Sequence, residues 1–205
     1  MRLAIIALTV GVAAITTACS RKTEKAEAPP PAGAETPAPA APTIGDSAAV
    51  DVAPGFRHEA ALDASGFYLT PQPTQIGNYR LTHLGIGAPS DFQQWEKGER
   101  ASVFGPILLQ FDDVTSPVQT NELGGEAHTV SVRVLPEAYS LSAGKVTFKG
   151  ADPKLGEVLF SGRFDAAALA QARNDGSSQT PVLRGLLKVG DAPARPVAMV
   201  YFVGE

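Results

Sequence analysis

The sequence predicts a mainly β fold: a single antiparallel β-sandwich or barrel-like domain with two short helices. Three observations carry this prediction. Several stretches alternate apolar and polar residues with period two, as half-buried strands do. Clusters of Gly, Pro, Asn, Asp and Ser punctuate them at short intervals. The two helical signals are brief and sit between strands, which favours a sandwich or barrel over a parallel α/β sheet. No internal repeat is evident.

In chain order, the first strand candidates are Gly66–Leu69 and Asn78–Leu84. A helix follows. Ser90-Asp91-Phe92-Gln93 has the spacing of a capping box, and Gly98 is placed to end the helix in a left-handed cap. Phe92 and Trp95, three residues apart, share one helical face and are expected to dock it on the sheet. Ala101–Phe104 and Ile107–Phe111 are the next strand candidates, followed by the polar loop DDVTSPVQTNELGGEAH. His128–Leu135 alternates, with Val130, Val132 and Val134 on one side and Thr129, Ser131 and Arg133 on the other. Lys145–Lys149 and Glu157–Phe164 repeat the pattern. Asp165 caps a second helix running to Asn174, with Gly176 just beyond. Val182–Val189 and Val197–Val203 flank the turn-rich segment from Gly190 to Pro196, a final hairpin.

Residues 56–205 amount to one domain's worth of chain. The region before them differs in kind. Leu3 to Ile15 is apolar, with Arg2 the one charge ahead of it. It has the length of a secretory h-region, ~7–15 residues, and falls short of the ~20 apolar residues of a spanning helix. From Ser20 to about Gly55 the chain is rich in Pro and Ala, with hardly a bulky apolar residue. Such chain cannot offset its ordering entropy by burial, so residues 19–55 are expected to form a disordered, extended linker.

Thr16-Thr17-Ala18-Cys19 resembles the lipobox of bacterial lipoproteins. The resemblance implies that residues 1–18 are a lipoprotein signal peptide, cut between Ala18 and Cys19. It further implies a thioether-linked diacylglycerol and an amide-linked acyl chain on Cys19. Thr16 departs from the usual leucine, and Arg21-Lys22 places positive charge after the cut. Cys19 is the single cysteine, so an exported chain has no internal disulfide, and acylation removes an otherwise reactive thiol. Two or more acyl chains suit stable anchoring. The expected location is therefore the cell envelope, lipid-anchored through Cys19. Ser20 stands where an inner-membrane retention aspartate would be, which favours the outer membrane over the inner.

The whole chain carries 17 Lys+Arg against 21 Asp+Glu, a net charge of −4. Removing residues 1–18 takes away Arg2 alone, leaving 16 against 21, or −5. No basic block exists beyond Arg21-Lys22, which argues against a nucleic-acid partner.

Motifs for chemistry are sparse. Ser142-Ala143-Gly144-Lys145 matches S-x-x-K, but it lies between two strand candidates and reads as a turn. Asp112 and Asp113 are adjacent and point to opposite faces of a strand, so they do not pair over one substrate bond. Glu122, Glu126 and His128 share the loop with them, without calcium-loop spacing. His58, His83 and His128 lie on separate segments with no metal-ligand spacing. No metal or cofactor is expected. The remaining signal is aromatic. Phe67, Tyr68, Tyr79, Phe92 and Trp95 are close in sequence, and Tyr79, Phe92 and Trp95 are the residues singled out for ligand binding. The expectation is a tethered domain that binds an envelope protein or a small ligand. The alternative is an envelope hydrolase using the acidic loop from Asp112 to His128.

Overall fold

The computed structural model describes residues 50, 52, 54–120 and 124–204. The apolar segment, Ala18, Cys19 and the Pro/Ala-rich residues up to 49 lie outside the described residues, as does Glu122. The elements are β1 (Phe56–His58), β2 (Gly66–Ile76), β3 (Tyr79–Ile86), α1 (Pro89–Glu96), β4 (Ile107–Asp113), β5 (Val118–Thr120) and β6 (Glu126–His128). They continue with β7 (Ser131–Val134), β8 (Pro136–Ser142), β9 (Lys145–Asp152), β10 (Gly156–Phe164), α2 (Ala166–Asp175), β11 (Leu183–Val189) and β12 (Arg195–Phe202).

The fold is mainly β, as the alternation predicts. Among the described residues, one ten-stranded sheet runs in the order β1-β8-β9-β10-β11-β12-β2-β3-β4-β7, and β5 and β6 form a separate hairpin. Its pairings are antiparallel except β1 with β8, which is parallel. Leu135 alone separates β7 from β8, yet the two lie near opposite ends of that order. One bent run of chain thus ties the ends together and curls the sheet into a half-barrel. The bend sits against Gly150, where a Cβ would come within 2.3 Å of the Leu135 carbonyl oxygen. Only glycine fits that approach.

The inner face of the curl holds the core. Tyr68, Phe111, Tyr139, Phe148, Phe160, Leu187 and Met199 are fully buried in one cluster. Each such side chain contributes roughly 1.5–3 kcal/mol relative to exposure. The period-two logic is visible on β7, where Val132 and Val134 are buried while Ser131 and Arg133 are exposed.

The helices follow their caps with one correction. Asp165 accepts the Ala168 N–H at 3.0 Å and begins α2, which ends at Gly176 in the left-handed region. Helix α1 begins at Ala88, not Ser90. Pro89 takes the first helical position, where a missing N–H costs nothing, and the Asp91 carboxylate returns to the Ala88 N–H at 2.8 Å. The far end is as expected. Gly98 has φ 93°, its N–H bonds the Trp95 carbonyl, and the Glu99 N–H bonds the Gln94 carbonyl. This is the Schellman arrangement.

Other boundaries shift. Ala101–Phe104 forms no strand; it precedes Gly105-Pro106, has no ladder partner among the described residues, and leaves Val103 and Phe104 exposed. The first strand expected at Gly66–Leu69 continues to Ile76 through Pro71 and Pro73, which fall where the β2–β3 register is interrupted. The stretch from His128 to Leu135 is broken at Thr129-Val130, so His128 belongs to β6 and Ser131–Val134 to β7. Strand β8 was not legible, and the polar loop contains the β5–β6 hairpin.

Candidate functional site

The three aromatic residues singled out in the sequence do not form one site. Phe92 and Trp95 are buried beneath α1, and Tyr79 is half-buried at the start of β3, opposite Asp113. Helix α1 follows the other end of β3, about 23 Å away at ~3.3 Å per strand residue. Phe92 and Trp95 dock α1, as expected. Phe92 stacks on His58 at 5.0 Å and meets Tyr139 edge-on at 5.3 Å. Trp95 meets Phe56 edge-on at 6.4 Å, and the Arg100 guanidinium lies over both rings, 4.6 Å from Phe56 and 5.5 Å from Trp95.

The same seat holds a polar cluster that sequence reasoning did not find. Glu96 ends α1, and its Oε1 faces His58 Nδ1 at 2.8 Å and accepts the Tyr139 hydroxyl at 3.0 Å. His58 Nδ1 donates to the carboxylate; among the described residues the buried Nε2 has no partner, and neither does the Trp95 indole N–H. Burial, then the bond to Glu96, pushes the Tyr139 phenol well above its ordinary value. Among the described residues, His58 is the histidine hydrogen-bonded to a carboxylate; His83 and His128 have Thr82 and the Ser116 carbonyl as their partners. The cluster fastens α1 across β1 and β8.

The acidic loop uses its polar groups to hold its own turn. Asp112 reaches Arg80 at 3.4 Å. Asp113 accepts the Thr115 N–H at 3.0 Å and hydroxyl at 2.6 Å, and these bonds lower its carboxyl pKa. The His128 Nδ1 lies 3.1 Å from the Ser116 carbonyl oxygen. Asp112 and Asp113 face opposite sides of β4, and Glu126 is exposed on β6. Ser142 and Lys145 are cross-strand neighbours at a β-turn, the Ser142 hydroxyl donating to the Lys145 carbonyl at 3.3 Å.

The outer face of β12, β2 and β3 presents a different surface. Phe67 and Phe202 are directly opposed across β2 and β12, 40% and 36% exposed. Leu69 opposes both Val200 and His83 in the next row. Gly85, opposite Phe67, has no side chain, so His83 can lie edge-on to Phe67 at 5.1 Å while Leu108 leans over the glycine. Burial, then the Arg133 charge, pushes the His83 imidazole below its ordinary value, with Asp112 opposing. His83 therefore joins this patch as a neutral ring. The pairing of residue 67 with residue 202 is long-range and has no local signature in the sequence. No protein family, curated protein or solved structure matches the chain.

Proposed function

We propose that this protein is a lipid-anchored lipoprotein of the cell envelope, with the outer membrane favoured, whose β-rich domain acts by binding an envelope protein. The observation that carries the reading is the outward apolar pair Phe67 and Phe202, continued by Leu69, Val200 and His83. Exposed contiguous apolar surface rimmed by polar residues marks interaction sites, and Phe is enriched at them. Large side chains fill the inner face of the curl, which supports binding on the outside and favours a protein partner over a small ligand held within. The anchor is inferred from the lipobox-like residues ending at Cys19.

Each half has its own test. Metabolic labelling with a fatty-acid analogue reads the anchor: wild type takes up label and Cys19→Ala does not, whereas equal labelling defeats the anchor. Capture from detergent-solubilised envelopes reads the patch. A defined protein recovered with wild type and lost with Phe67→Ser/Phe202→Ser supports the reading; equal recovery by both contradicts it.

A further inference from the structure

The outer face of β9, β10 and β11 carries three basic residues in one transverse row. Lys145 is the direct partner of Arg163, and Arg163 is the direct partner of Arg184. All three are exposed, and among the described residues none makes an ion pair or side-chain hydrogen bond. Adjacent strands lie ~4.8 Å apart, so three like charges stand within roughly 10 Å. Like charges directly opposite one another are destabilising. Glu59 accepts the Ala143 N–H at 3.0 Å and Asp165 caps α2, and neither forms an ion pair with the row. Glu157 pairs with Lys149 at 2.7 Å further along the strands, where Glu137 also acts on Lys149. A concentrated positive row on a chain of net charge −4 calls for an anionic counterpart.

We infer that this row docks the domain on an anionic lipid surface. The row lies on the convex side of the curled sheet, opposite the core, so it meets a broad, flat array of charges rather than enclosing one small anion. The choice of a lipid surface rests on the anchoring proposed above, which keeps the domain beside a membrane. It assigns a membrane-facing side distinct from the Phe67–Phe202 patch. A basic side chain near an anionic membrane is worth roughly a five-fold gain in partition, so three together are worth on the order of a hundred-fold.

The test uses the mature chain, residues 19–205 carrying Cys19→Ala, so that neither an acyl chain nor the apolar Leu3–Ile15 segment holds it. Co-sedimentation is measured with vesicles of phosphatidylcholine alone and of phosphatidylcholine with phosphatidylglycerol. The expected result is binding to the anionic vesicles only, reversed by high salt. It drops at least about ten-fold in Lys145→Gln/Arg163→Gln/Arg184→Gln and is unchanged in Lys97→Gln/Lys154→Gln. Thermal melts confirm that each variant is folded. Absence of binding, equal binding to neutral vesicles, or equal binding by the triple variant overturns the inference. So does retention on soluble polyglutamate without vesicle binding. The labelling test of Cys19 is separate, so loss of the anchor reading and loss of this one are told apart.

Discussion

Phe67 on β2 and Phe202 on β12 are directly opposed partners whose rings face away from the core. One residue along each strand, Tyr68 and Tyr201 are also partners, and they meet inside it at 5.6 Å. The pleat thus sets an outward apolar pair back to back with an inward one. Their mutational costs should divide accordingly. Tyr68→Ala removes a fully buried ring and is expected to cost ~3–5 kcal/mol. Phe67→Ser or Phe202→Ser should cost about 1 kcal/mol or less each. Urea denaturation of the three variants measures this.

The seat of α1 gives a second prediction. Trp95 is buried, so Trp95→Ala should cost ~3–5 kcal/mol. Glu96→Ala leaves the buried Tyr139 hydroxyl without its acceptor and should cost about 1–3 kcal/mol. Adding Tyr139→Phe to Glu96→Ala removes the stranded hydroxyl and should recover part of that loss. A double-mutant cycle by denaturation checks it.

Acid stability should depend on Asp63. Arg173 bonds its carboxylate at 2.7 and 3.1 Å, and the Ser65 N–H and hydroxyl add two more bonds. These hold the Asp63 pKa at about 2, against an ordinary 3.8. The unfolded chain therefore binds the proton first as pH falls. The contribution is fully present above pH 3.8 and is lost as pH falls toward about 2. Arg173→Gln should remove most of this dependence in melts across the window.

His83 gives a pH dependence of the same sign in a higher window. Its folded pKa lies below the ordinary 6.5, so the unfolded chain binds the proton first. Stability should fall as pH drops below 6.5, down to the lowered folded value. Protonation of the folded protein also charges the apolar patch, so partner binding should weaken lower down, as pH falls through that lowered folded value. His83→Phe should flatten both profiles.

Much of the architecture was legible because burial of one sheet face writes itself locally as alternation. Ser131 to Val134 shows it, and so do the caps at Asp165 and Gly98. Strand β8 was obscured by Pro136 and Glu137 at its start, although Tyr139 and Leu141 face inward and Ser140 outward. Ala101–Phe104 looked like a strand because its residues suit one, but among the described residues it has no neighbour to pair with. The surfaces were not legible. The partners Phe67 and Phe202, or Arg163 and Arg184, meet only through register between distant segments. Likewise, His58 and Glu96 meet because β1 pairs parallel to β8 under α1.

The central claim, binding through the Phe67–Phe202 face, is tested most directly by photo-crosslinking in intact cells. A photoreactive residue replaces Phe202 in the full-length chain, and in a separate strain it replaces exposed Glu99, on the segment after α1. The account predicts a discrete protein adduct from position 202, lost on adding Phe67→Ser, and no such adduct from position 99. The same adduct from both positions, or none from position 202, would contradict it.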